Sequence, residues 1–129
     1  MPDQRYFDQT GEPSDARGRF VNVDDLDPLN VVAGLEFRPV TTDTVMTNFV
    51  AFQPGATAPT HHHVEQQIAI VLSGELTFTV GDETSVMHAG DCVVIPPHVE
   101  HGGVAGPQGC NVVDVFTPPR AGILRFMEG

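Results

Sequence analysis

Thirteen glycines and eleven prolines are spread along this chain of 129 residues, and they cut its apolar segments into short runs. A helix of ordinary length does not survive breakers at this spacing, because Gly costs about 1 kcal/mol and Pro about 3 kcal/mol in a helix interior. The runs between the breakers are rich in Val, Ile, Thr and Phe, residues that fit a pleated, half-buried surface. Many short strands joined by turns follow, and hence an all-β sandwich or barrel. The length suits one domain that buries its own core.

The elements can be placed from the same punctuation. Residues 1–30 are polar, with little periodicity, so this N-terminal arm is either disordered or ordered by packing on another surface. "GRFVNV" within it is a possible first edge strand, one that could also be swapped to a partner. The barrel is expected over 31–120. In "GLEFRPV" Leu35 and Phe37 alternate with Glu36 and Arg38, and "TVMTNFVAF" after "TTD" completes a hairpin. "QQIAIVLSG" and "ELTFTVGD" read as a strand pair across Ser73 and Gly74. "CVVIPPHVEHGG" and "CNVVDVFTPP" follow, and "PRAGILRFMEG", covering the C-terminal tail 121–129, is either a short helix or a tail. Strands at this spacing can close as an immunoglobulin-like sandwich or as a jelly roll, and periodicity does not choose between them.

Charge narrows the partners. Seventeen acidic residues against six Arg and no Lys give a net charge of −11. Such a chain is repelled by nucleic acid phosphates and by anionic lipid, so neither nucleic acid nor membrane is expected as a partner. No apolar run approaches the ~18 residues of a membrane span, and the polar start of the chain is not a signal peptide, so a cytoplasmic location is expected. In that compartment Cys92 and Cys110 are expected as free thiols.

Three of the six histidines are consecutive, at 61 to 63. On a strand, residues i and i+2 share a face, so His61 and His63 can reach one ion while His62 points away. Gln67 and His101, each following a glycine turn, offer further ligands. Glu65 rivals Gln67 for the fourth place. His88 is expected at the surface, and His98 either lines a barrel mouth or sits in a solvated turn.

The spacing of these residues resembles the cupin family. Gly55, five residues, His61, one residue, His63, three residues, Gln67, six residues and Gly74 follow the first cupin motif, with Gln where Glu is usual. Gly90, five residues and Pro96, then His101, follow the second, with His98 in a usual Gly place and Ala105 in a usual Asn place. The resemblance implies a cupin jelly-roll β-barrel holding one divalent metal, zinc with iron, nickel and manganese as alternatives, on His61, His63, Gln67 and His101. It also implies a homodimer.

Gln67 carries a chemical consequence. Three imidazoles and a neutral amide leave a bound dication its full charge, and they depart from the two-His, one-carboxylate set of common oxygenases. Activation of a carbonyl or enol fits better than oxygen chemistry. The proton-moving partner is expected to be Asp114, which shares strand parity with Val112 and Phe116 in an otherwise apolar run. Arg120, after the stiff "TPP", is positioned to clamp an anion.

Two cupin branches look similar over residues 35–120. One converts unsaturated uronates of pectin or alginate catabolism to linear keto forms, and its "DVFTP" strand matches Asp114, Phe116 and the following Arg120. The other comprises the aromatic-polyketide cyclases of the resistomycin and tetracenomycin type, in antibiotic biosynthesis. The Lys-free chain, the long arm and an inner face of Ala69, Val71, Val112 and Phe116 favour the cyclase. In that reading Asp114 removes the proton between two carbonyls of a poly-β-ketone delivered by a polyketide synthase, and aldol closure with dehydration gives the ring. A non-catalytic metal- or ligand-binding module is the third reading, one with no need of Asp114.

Overall fold

The computed structural model of the chain describes residues 3–128. Eight strands follow one another as β1 (Leu29–Val32), β2 (Leu35–Thr41), β3 (Met46–Phe52), β4 (Thr57–His61), β5 (Gln66–Val80), β6 (Glu83–Met87), β7 (Cys92–Ile95) and β8 (His101–Thr117), and a helix, α1 (Ala121–Met127), closes the chain. All pairings are antiparallel. The two long strands organise the rest. The first half of β5 pairs with β7 and with the second half of β8, which also pairs with β3, extending through β2 to β1. The second half of β5 pairs with β6 and with the first half of β8, which also pairs with β4. Two sheets that share β5 and β8 thus face each other across one interior, which is the jelly roll expected above.

The expected strand pair across Ser73 and Gly74 is instead one strand of 15 residues. The reason is a change of parity. Gln67, Ala69 and Val71 are buried in the first half, Leu76 and Phe78 in the second, so the inward set switches from odd to even positions. The ladder to β8 breaks register between Val71 and Ser73 and again between Gly74 and Leu76, where the strand bends from one sheet into the other. Strand β8 makes the matching switch, burying His101, Gly103 and Ala105 before the bend and Cys110, Val112 and Phe116 after it. An extra residue at a bulge restores each inward face after the corner. Both corners carry a glycine in the left-handed region, Gly74 at φ 77° and Gly109 at φ 76°.

The β2–β3 hairpin forms as expected, with Leu35 opposite Phe52 and Thr41 opposite Met46. At the ends of the chain one possible element is absent and one open alternative is decided. "GRFVNV" forms no strand: residues 18–22 are extended and exposed, a 3-10 turn follows at Val23–Asp25, and the first strand starts only at Leu29. Its apolar residues are too few and too closely flanked by Asp and Asn to hold a sheet edge. The residues after Pro119 form helix α1, whose Ile123 is buried against Met46 and Phe116. The cysteines are both free, Cys92 exposed and Cys110 buried.

The main core joins Leu35 and Val50 to Val71, Leu76, Met87, Ile95 and Val112. Its continuity around the bend depends on Gly74. A Cβ there would overlap the carbonyl oxygen of Gly109 and lie 2.8 Å from Cys110 Cα, on a backbone conformation that disfavours any side chain. Gly74→Ala is therefore expected to lower unfolding stability by about 2–4 kcal/mol, read as a shift in urea midpoint with unchanged slope.

Candidate metal centre and cavity

Three elements bring the histidines together. His61 ends β4 and lies directly opposite His101 at the start of β8. His63 follows in the loop to β5, where its carbonyl accepts from the His98 N–H at 2.8 Å. His98 is the one non-glycine residue among those described with positive φ, 68°, in an exposed turn. The three rings have centroids 4.3 to 5.4 Å apart, and one nitrogen from each lies within 4.8 Å of the others.

Each ring is oriented in the same way. The Nδ1 of His61, His63 and His101 bonds a backbone carbonyl two residues away, that of Pro59, Glu65 and Val99 respectively, at 2.8 to 2.9 Å. A carbonyl only accepts, so each Nδ1 carries the proton and each Nε2 presents a lone pair. Burial pushes the His101 imidazole down to about 4, the Val99 bond opposing it and His61, His63 and Arg120 adding to it. Burial likewise lowers His63, with Arg120 reinforcing it. Both rings are thus neutral near pH 7, the form that ligates.

The donor set fits a cation. His101 Nε2 is buried with no hydrogen-bond partner. Gln67 Oε1 lies 3.1 Å from His63 Nε2, while the amide nitrogen of Gln67 donates to Asp114 Oδ1 at 2.9 Å. Two acceptors therefore face one another at His63 and Gln67, an arrangement that a positive ion between them relieves. The three histidines could hold a metal ion, and Gln67 offers its oxygen on the same side.

Glu65 takes a different place from the one that made it a rival ligand. Its carboxylate lies on the Nδ1 side of His63, 3.4 Å away, opposite the convergent nitrogens. It accepts the Ala121 N–H at 2.9 Å and lies 3.6 Å from an Arg120 guanidinium nitrogen. Burial pulls this carboxyl up, but the Ala121 and backbone bonds, Arg120 and His63 together hold it below its usual range. Glu65 thus ties α1 and Arg120 to the histidine loop. His62 and His88 are exposed, as parity and position implied.

A cavity of about 630 Å³ opens beside the cluster. Asp114, Arg120 and Phe116 all border it, with His61, Gln67 and His101. Desolvation pushes the Asp114 carboxyl up to about 7, against the lowering effect of the Gln67 amide. Phe116 is buried, its ring edge-on to His63 with centroids 5.7 Å apart. The remaining walls are largely apolar, among them Leu35, Phe37, Val50, Leu76, Phe78, Val112 and Ile123. Two polar wall residues escaped the reading of the sequence, Arg125 on α1 and Asn48 on β3. Asn48 stands between Met46 and Val50 in "VMTNFV" with the same parity as both, the signal that had singled out Asp114.

A metal-free jelly roll and a metalloenzyme would share the fold, but this chain belongs to the cupins: the family model for the cupin domain matches residues 48–116. Among curated relatives, "Pectin degradation protein KdgF" of Dickeya dadantii is 30% identical over 93 residues, 70% of this chain and 84% of that protein. "H2HPP isomerase" of Bacillus subtilis is 42% identical over 69 residues, which span 52% of this chain but 28% of that protein. Among solved structures, KdgF from Halomonas sp. superposes with a TM-score of 0.78 at 30% identity, over 83% of this chain and 99% of that one.

Metal analysis of protein purified without added metal is expected to find about one divalent ion per chain. His61→Ala or His101→Ala should weaken retention by more than about tenfold, since even outer-shell changes at such sites cost 10- to 100-fold. Full occupancy in both variants would remove these residues from the centre.

Proposed function

We propose that the chain is a metal-dependent, non-redox isomerase that ketonises an unsaturated uronate, opening its ring to the linear keto acid. The observation that carries this reading is the contact of Gln67 with Asp114 at 2.9 Å, which couples a carboxyl in the cavity wall to the side chain that also faces the histidines. The relatives support it in preference to the polyketide cyclase expected from composition. One is named a pectin degradation protein and another an isomerase, and neither name points to polyketide or antibiotic chemistry.

A divalent ion on His61, His63, Gln67 and His101, with zinc the favoured identity, supplies Lewis-acid stabilisation to an oxygen that gains negative charge. Asp114 does the proton work. It takes the proton of the anomeric hydroxyl as the bond from that carbon to the ring oxygen breaks. The anomeric carbon is left as an aldehyde, the ring oxygen leaves as an enolate oxygen and becomes the keto oxygen, and the proton is delivered to the other carbon of the former double bond, so no electrons are gained or lost overall. Arg120, a quarter exposed and beside the buried Glu65, is placed to hold the substrate carboxylate. Phe116 and the apolar walls limit water around the transferring proton.

The cyclase keeps one supporting observation, the apolar lining of the cavity, which suits a poly-β-ketone. The two reactions share the need for a held enol and a proton-moving carboxyl. Incubating the protein with an unsaturated uronate and with a poly-β-ketone, side by side, separates them, and turnover of the uronate alone is expected. Asp114→Asn should cut that turnover by about 10²- to 10⁴-fold while leaving metal content unchanged. Undiminished turnover in this variant would overturn the assignment of Asp114.

A further inference from the structure

Along β3, the second half of β8 and the first half of β5, the inward positions are apolar except for Asn48, Asp114 and Gln67. Gln67 and Asp114 bond each other. Asn48 bonds nothing: it is 1% exposed, and both its side-chain nitrogen and its oxygen are buried without a hydrogen-bond partner. Its neighbour on one side, across the β2–β3 ladder, is Pro39, which brings no polar side chain. On the other side it lies opposite Asp114, and it borders the same cavity.

A buried amide left unbonded is a net cost to the fold, whereas an apolar side chain of the same volume at this position would pack without it. Stability therefore gives no reason for an asparagine here, and its place at an inward position in the cavity lining, opposite Asp114, gives one. We infer that Asn48 is a substrate-binding residue that receives a substrate hydroxyl beside Asp114. The inference rests on the cavity being the site of the reaction above, and it sharpens the class of substrate. A side-chain amide offers N–H donors and a carbonyl acceptor together, and a hydroxyl, which donates one hydrogen and accepts another, can serve both. A ketone serves the donor alone. Asn48 thus selects a polyhydroxylated acid over a poly-β-ketone, despite the apolar walls around it.

Calorimetric titration of the protein as purified, with galacturonate and with cyclohexanecarboxylate, tests this. The second acid keeps a six-membered ring and a carboxylate but has no hydroxyl. Wild type is expected to prefer galacturonate by at least about tenfold, since a site built to hydrogen-bond a hydroxyl rejects the analogue lacking it. Asn48→Leu should lose most of that preference, keep its metal, and melt no lower than wild type. Asn48→Ala, which cannot clash, repeats the titration should the leucine fail to pack. Absence of the preference in wild type, or its survival in both variants, overturns the inference. Turnover of the unsaturated uronate by wild type is measured separately: a hydroxyl preference that depends on Asn48 without turnover sinks the proposed reaction and keeps the residue's role, and turnover with no dependence on Asn48 does the reverse.

Discussion

The site exists because two strands turn a corner together. β5 and β8 each belong to both sheets, and a strand that simply bent would carry its inward side chains to the outside after the bend. The paired irregularities at Gly74 and Gly109 add the residue that each strand needs to turn its face inward again. They also touch: the space where a Gly74 side chain would stand is filled by the backbone of Gly109 and Cys110. This close approach sets His101, on the first half of β8, across the interior from Gln67 and from Asp114, on the second half of the same strand. Without the double switch the histidine cluster and the carboxyl would occupy opposite surfaces of the barrel.

Within that frame the cluster is held by backbone more than by side chains. Three Nδ1 bonds to local carbonyls fix three rings with their free nitrogens converging, and each bond spans two residues. The arrangement is local to each histidine, so it does not need long-range packing to orient a ring, only to bring the segments that carry them together. His98 and Glu65 do that second task. The His98 N–H fastens the His63 carbonyl, and Glu65 fastens the helix bearing Ile123 to the far side of the same loop. The helix in turn covers Phe116, so the wall of the cavity and the loop of the cluster are stabilised by one set of contacts.

Much of this was legible in the sequence, and the gaps have physical causes. The i, i+2 relation separated His61 and His63 from His62, although β4 ends at His61 and His63 lies in the loop beyond it. His101 and Gln67 needed the resemblance to a family, since nothing local shows that residues 34 apart in the chain meet. The continuity of β5 was hidden because the parity switch at Ser73 and Gly74 looks like a turn: a glycine between two apolar runs of opposite phase marks both a hairpin and a bulge. Glu65 was weighed for its charge and not for its side of the imidazole, which depends on ring orientation. Asn48 had the same signal as Asp114, a polar residue at an inward parity in an apolar strand, but a neutral amide drew less notice than a carboxylate. Composition favoured a different substrate from the one the relatives support, because the apolar inner face it foretold is present but says little about the few polar groups that orient a ligand.

Those few groups give Gln67 a meaning beyond the charge that it lacks. Read from the sequence, its neutrality leaves a bound dication more electrophilic. In the folded chain the amide also uses both of its ends, the oxygen toward His63 and the N–H to Asp114. A glutamate at 67 could serve the first contact but not the second, because a carboxylate has no hydrogen to give. It would instead set two carboxylates about 2.9 Å apart in a largely apolar wall, where both cannot stay ionised. The amide is thus the side chain that lets the histidine-facing side of the site and the Asp114 carboxyl stand in contact without competing for the same charge. In the reaction proposed above, where a proton moves while an adjacent oxygen gains charge, this contact would be the physical link between the histidine cluster and Asp114.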